Sequence, residues 1–292
     1  MFAIAYKVVS SFTHPVVIST RFFDKSVECG CGAFVIINDE GWIITVAHLW
    51  DSFFLFQQHS KEISGYQNQL KMIQQDRTLD GKKKKKKIEH LKTNLKWVTN
   101  HSIWWGRDNI QLKDIKPFPE GDIIIGRLDP FDPKSIILYP VFKDPTNLSI
   151  GTSLCKLGYP FHKIEATFNE AKNMFELAPG ALPMPRFPIE GIYTRNVIAG
   201  KSKDGKYDIK FLETSSPGLR GQSGGPVFDV KGTIWAVQSR TVHFPLGFSP
   251  KVKKNGREVE ENQFLNVGLG IHPEVLIKFL KDNNIKFNLS DY

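Results

Sequence analysis

Short runs rich in Val, Ile, Phe and Tyr recur along the whole sequence: HPVVISTRF, GAFVIIN, GWIITVAH, GDIIIGRL, SIILYPVF, SLCKLGYP, GIYTRNVIAG, YDIKFLE, GGPVFDV, TIWAVQSR and FLNVGLGI. Each is bounded by Gly, Pro, Asn or Asp, the mark of a strand that stops at a turn. Many short strands separated by turn signals specify a sandwich or a barrel, not a parallel sheet sandwiched by helices. INDEGWI predicts a hairpin turn over 39–41, and KSKDGKYDI another at Asp204-Gly205. Near the C-terminus, PEVLIKFLK starts with Pro273, ends in lysine and has an apolar face, so it predicts a helix. The first residues, MFAIAYKVVSSFTHPVVIS, alternate like a strand; without a basic start they are read as structure and not as a signal peptide. No internal repeat is present.

Residues 52–100 differ in kind. They are polar and rich in Gln and Lys, and the spacing of Ile88, Leu91, Leu95 and Val98 predicts one face of a helix, so the segment reads as a partly helical insertion. A proline-rich stretch, 178–190, predicts an extended loop.

With 292 residues and 41% hydrophobic content, the chain can bury a substantial core. No window is long and apolar enough for a spanning helix, so no membrane association is expected. The net charge is +9, but the run Lys82 to Lys87 carries six of those charges, which leaves +3 elsewhere. That excess is too small to argue for nucleic acid, and Trp97, Trp104 and Trp105 sit in no recognition motif. The lysine run reads as a solvated loop or a contact for an acidic partner. The three cysteines, Cys29, Cys31 and Cys155, are too few and odd for a secreted framework and favour a reducing cytoplasm. No paired ligand motif completes a metal site around them, so no metal and no cofactor is expected.

The stretch GLRGQSGGPVFD, 218–229, gathers four glycines around Ser223. Glycine costs roughly 0.5 to 1 kcal/mol relative to alanine in a regular element, so so many together call for a reason. One reason is a nucleophile on a tight loop whose backbone N–H groups turn toward a reacting carbonyl; the other is an ordinary turn. A serine nucleophile needs a base, and the base needs an orienting group. Among eight histidines, His48 closes the apolar run GWIITVAH, where a polar ring requires a partner. Asp122 directly precedes three isoleucines in GDIIIGRL, and a carboxylate at the edge of a buried strand is costly unless it accepts hydrogen bonds.

These three elements, in the order His, Asp, Ser within an all-β chain, resemble the chymotrypsin-like serine peptidases. The match rests on CGAFVIINDEGWIITVAHL, GDIIIGRL and GQSGGPV, with TIWAVQSR and a terminal VGLGIHPEVLIKFL similar to the closing helix of the HtrA-type branch. The resemblance implies two packed antiparallel six-stranded β-barrels: residues 1–135 carrying His48 and Asp122, and residues 136–292 carrying Ser223. It implies that Ser223 attacks the scissile carbonyl, His48 relays the proton, Asp122 orients His48, and the N–H groups of Gly221 and Ser223 form an oxyanion hole. Pro217, Gln238, Ser239 and Arg240 are implied as substrate-binding residues, with Ser239 on a pocket wall and the strand 234–240 pairing with the substrate backbone. The expected partner is therefore a protein or peptide substrate.

The departures from the family pattern are informative. Leu49 replaces the cysteine that follows the histidine in secreted digestive members, which leaves Cys31 without that partner. Gln222 replaces the aspartate that a new N-terminal amine would pair with, so activation by that ion pair is not expected. Control is assigned to the insertion, to a regulatory partner protein, or to both. Pro217 replaces the aspartate that selects Lys or Arg, so a small or medium apolar side chain is expected at the cleaved residue. The sequence stops shortly after its last predicted helix, so no appended PDZ module is expected. The alternative reading is a catalytically silent peptidase-like scaffold.

Overall fold

The computed structural model describes residues 1–291. Six strands, β1 (Thr13–Phe22), β2 (Val27–Ile36), β3 (Trp42–Thr45), β4 (Val98–Trp104), β5 (Gln111–Phe118) and β6 (Ile123–Asp129), form one antiparallel sheet in the order β4-β1-β2-β3-β6-β5. The second sheet holds β7 (Val141–Phe142), β8 (Ser153–Gly158), β11 (Phe187–Lys201), β12 (Asp208–Thr214), β13 (Pro226–Phe228), β14 (Ile234–Pro245), β17 (Phe264–Ile271) and β18 (Asn288–Leu289). Its order β13-β8-β11-β12-β17-β14 closes on itself, because β14 also pairs with β13, and the short β7 and β18 lie outside this ring of six. Two further hairpins, β9 (Ala166–Asn169) with β10 (Met174–Leu177) and β15 (Lys251–Lys254) with β16 (Arg257–Glu260), project from the second half. The architecture is two-barrel and mostly β, and both predicted turns are present, with Gly41 and Gly205 at positive φ.

Burial explains the strand sequences. In β6, Ile123, Ile124 and Ile125 are all at or below 1% exposure, and the ends of β2 and β3 are equally enclosed. Each such side chain contributes on the order of 2 kcal/mol by leaving water. Helix α4 (Pro273–Asp282) forms as expected: His272 Nδ1 accepts from Glu274 N at 3.2 Å to cap it, and Val275, Leu276, Phe279 and Leu280 pack inward. Phe279 stacks on Phe118 of β5 at 5.5 Å, and Tyr207 lies 4.5 Å from the same Phe118, so one aromatic cluster joins both sheets.

Several expectations change. Residues 3–12 are helix α1 (Ala3–Phe12) and not strand, because Ala5, Val9 and Phe12 are buried at helical spacing while Ile4 and Lys7 on the opposite side are exposed. In SIILYPVF only Val141–Phe142 is strand, since Ile137 and Leu138 face solvent between Pro133 and Pro140. The insertion holds α2 (Asp51–Gln75) and α3 (Gly81–Glu89), but the helical spacing of 88–98 fails. Val98 pairs with Phe22 as the first residue of β4, and a turn from Asn94 to Trp97 precedes it. Within 178–190, the last four residues join β11, where Phe187 to Glu190 pair with β8.

Helix α2 buries no residue fully, yet it is docked on β4: Trp97 Nε1 donates to Glu62 at 2.6 Å, Val98 N donates to His59 Nδ1 at 3.0 Å, and Ser52 contacts His101 at 2.9 Å. The lysine run lies along α3, capped by Asp80 accepting from Lys83 N at 2.8 Å, so it is helical and not a loop. Among the described residues, no helix is long and apolar enough to cross a membrane.

Candidate active site

His48 sits in a single 3-10 turn, Ala47–Trp50, at the end of β3. The strand, paired on both sides, ends just before the ring, and the turn presents it to Ser223. Asp122 follows another short turn, Pro119–Gly121, and takes a left-handed conformation at φ 56° before β6 begins. That conformation is costly for a residue with a Cβ, and it is held by two bonds to the other turn. Ala47 N donates to Asp122 O at 3.2 Å, and His48 N donates to Asp122 Oδ1 at 3.0 Å.

The side chains continue the same network. His48 Nδ1 lies 3.0 Å from Asp122 Oδ2, and His48 Nε2 lies 3.0 Å from Ser223 Oγ. Asp122 is 6% exposed. Burial pushes its carboxyl up, but the hydrogen bond and charge of His48 and the hydroxyl of Ser239 outweigh this and hold it below its ordinary value. The carboxylate thus stays ionised beside a ring whose Nδ1–H it accepts, which leaves Nε2 free to accept from Ser223.

Ser223 stands on the loop 219–225 between β12 and β13. Gly224 has φ +83°, and a Cβ there would lie 2.0 Å from Ala33 O and 2.2 Å from Thr45 Oγ1. Only glycine lets the loop approach the first sheet this closely. One residue earlier, Ser223 O accepts from Ala33 N of β2 at 2.8 Å, tying the two sheets at the site. Gly221 has φ +94°, with its own Cβ position 2.5 Å from Tyr159 O. The N–H groups of Gly221 and Ser223 donate to no group among the described residues, whereas Gly224 N and Gly225 N are taken by Gln238 O and Gln222 O.

Gln222 is fully buried and neutral in its contacts. Its Oε1 accepts from Leu219 N at 3.0 Å and its Nε2 donates to Phe187 O at 3.3 Å, so the amide braces the loop where an ion pair was ruled out from the sequence.

The other expected residues gather in a cleft of about 460 Å³ beside Ser223, which Pro217, Gln238, Ser239 and Arg240 all line. Ser239 has a further position that sequence reasoning missed: its hydroxyl donates to Asp122 Oδ2. Lys156 was also missed. It is 1% exposed in β8, and its Nζ donates to Ser216 O, to Ser216 Oγ at 2.8 Å and to Pro217 O at 3.0 Å, bracing the cleft's edge from behind. Burial pulls its amine down to about 7. The signal was available, as a lone lysine inside the apolar run SLCKLGYP. The cleft's lining also differs from the apolar pocket expected: Arg220, Arg240, Thr241, His243 and Asn266 are polar or cationic. A second cleft on the far side of Arg240 is lined by His48, Asp51, Phe54, Pro117 and Pro119, which brings the first turn of the insertion to the site.

No protein-family model matches the chain, and no curated protein is similar to it. Solved structures are. A serine-to-alanine variant of the HtrA-type protease AlgW with a decapeptide shares 12% identity at a TM-score of 0.50, over 97% of this chain and 68% of that one. The same variant with a tripeptide gives 14% identity and a TM-score of 0.50, over 97% of this chain and 63% of the other. The active form of the Rv3671c protease from M. tuberculosis shares 11% identity at a TM-score of 0.49, covering 98% and 86%. The chain thus spans somewhat under two thirds of the AlgW chain with tripeptide. Its two sheets and closing helix have the chymotrypsin-like fold, similar to that of these HtrA-type proteases.

Proposed function

We propose that the chain is a serine endopeptidase whose catalytic residues are His48, Asp122 and Ser223. One observation carries this reading: an unbroken hydrogen-bonded line from Ser239 through Asp122 and His48 to Ser223 Oγ, beside two unpartnered backbone N–H groups. Ser223 Oγ attacks the scissile carbonyl while His48 Nε2 takes its proton. The N–H groups of Gly221 and Ser223 receive the negative oxygen of the tetrahedral intermediate; losing one such donor costs about 10² to 10³ in rate. The C–N bond then breaks, and His48 returns the proton to the leaving amine. Water repeats the sequence on the acyl-serine and releases the acid. Asp122 remains ionised throughout, fixing the imidazole tautomer.

A peptide substrate suits the open clefts on both sides of Arg240, and the AlgW structures of similar fold hold peptides. Phe54 and Asp51 narrow the approach to His48, which supports a restricted substrate range set by the insertion. Three cysteines, none of them in a disulfide among the described residues, favour a reducing cytoplasm.

Labelling with a fluorophosphonate at pH 8 tests the assignment. Wild-type protein labels on Ser223, and labelling is lost in Ser223→Ala and His48→Ala. Folded wild-type protein that resists the probe, or a His48→Ala variant that labels at the wild-type rate, refutes it.

A further inference from the structure

The cleft beside Ser223 contains three cationic or protonatable side chains and no carboxylate. Arg220, Arg240 and His243 line it together with Thr241 and Asn266. Arg220 and Arg240 are exposed, and neither is paired with an Asp or Glu among the described residues. Three other arginines do have a carboxylate partner, Arg21 in Glu170, Arg127 in Asp114 and Arg195 in Glu213. The guanidinium of Arg240 is fixed in place, stacked 4.7 Å over the ring of Phe211 and held near Ser239 Oγ. His243 Nδ1 lies 2.6 Å from Asn266 Oδ1, an acceptor that keeps the proton on Nδ1 and turns Nε2 outward. Behind the edge formed by Ser216 and Pro217, the buried Lys156 amine is spent on bracing that edge and does not line the cleft. The wall next to the nucleophile is therefore lined by two guanidinium groups and no carboxylate; the nearest acids, Asp51 and Asp122, face the other cleft, on the far side of Arg240.

We propose that this cleft receives an acidic side chain, so that the enzyme cleaves on the carboxyl side of Glu or Asp in peptide substrates. The proposal rests on the peptidase reading and names its substrate class. A glutamate that enters the cleft as its carbonyl meets Ser223 reaches Arg220 and Arg240, with His243 and Thr241 as further hydrogen-bonding groups. A lysine or arginine in the same place meets two like charges, and an aliphatic side chain leaves these polar groups without a partner. The apolar preference expected from the sequence is replaced by this one, because Pro217 forms only the edge of a cleft whose remaining lining is supplied by residues distant in sequence.

Short peptidyl diphenyl phosphonates that differ only in their last residue, Glu, Val or Lys, test this on the full chain. Ser223 Oγ attacks phosphorus, a phenol leaves with the proton taken by His48, and the rate of covalent labelling reports pocket preference without needing the natural substrate. The Glu probe is expected to label about tenfold faster than the Val probe, the ratio that two solvent-screened charge contacts supply. In Arg220→Gln/Arg240→Gln the ratio of Glu to Val labelling falls to near unity. Within wild-type protein the same ratio shrinks as salt is raised, which gives a test free of any variant. A Val probe that labels as fast as Glu, a Glu advantage that survives in the double variant, or a ratio indifferent to salt overturns the proposal. Fluorophosphonate labelling distinguishes the two failures: if it succeeds while the Glu probe does not, the specificity is wrong, and if it fails too, the peptidase reading falls with it.

Discussion

Replacing Gly224 by alanine perturbs the contact that joins the loop of Ser223 to the first sheet. At φ +83° an alanine costs roughly 1 to 2 kcal/mol from its backbone alone. Its Cβ would also stand 2.0 Å from Ala33 O, whereas carbon to oxygen contacts lie at roughly 3.3 Å or more, so the loop must retreat by about 1 Å. That retreat breaks the 2.8 Å bond from Ala33 N to Ser223 O, worth about 1 kcal/mol. The sum is a stability loss of about 2 to 3 kcal/mol. Displacing Ser223 Oγ by that distance from His48 lowers reactivity by about 10²-fold. Gly180→Ala is the matched control: its φ is +84°, but nothing lies within 4 Å of the added methyl, so it bears the backbone cost without the clash. Fluorophosphonate labelling rates and urea unfolding of both variants give the result. Gly224→Ala that labels at the rate of Gly180→Ala, or that is no less stable, would refute the claim that this close approach positions the serine.

Ser239→Ala removes one of the hydrogen bonds that hold the Asp122 carboxylate ionised. A bond to a charged group is worth about 2 kcal/mol, so labelling should slow by roughly tenfold or more with little change in fold; an unchanged rate and pH profile would exclude a positioning role. Acid sensitivity follows from three histidines, His14, His101 and His272, whose imidazoles burial pulls down to about 4 from an ordinary 6.5. In the window between those values the unfolded chain binds protons that the folded chain refuses, so stability falls as pH drops from 6.5 toward 4. His272→Asn keeps a capping side chain on α4 and removes one of the titrations, and its urea midpoint should fall less steeply over that window; an equal slope would show that His272 does not contribute.

Much of this was legible in the sequence because the strands announce themselves locally. Val and Ile runs closed by Gly or Asp, such as GDIIIGRL, need no distant information, and neither does a helix with Pro273 in its first turn. The His48, Asp122 and Ser223 motifs stood out for local reasons too: His48 and Asp122 flank apolar strand runs, and Ser223 sits among four glycines. What could not be read depends on tertiary neighbours. Residues 3–12 offer apolar side chains on every face, and only packing decides that Ala5, Val9 and Phe12 go inward. The Ile88 to Val98 spacing suits a helix until β1 claims Val98 as a strand partner. The character of the cleft was hidden most completely, since Arg220, Arg240 and Asn266 come from three separate stretches of chain and meet only after β14 and β17 pair.

The bond between Ala33 and Ser223 also gives the molecule a clock. Synthesis runs from the amino end, and the strands that carry His48 and Asp122 emerge long before the loop that carries Ser223. The carboxylate's second donor, Ser239, comes later still, on a strand whose neighbour β17 follows it off the ribosome. On the peptidase reading proposed above, an unfinished chain would hold His48 and Asp122 without their serine, and Ser223 would be seated only once the second sheet has closed against the first.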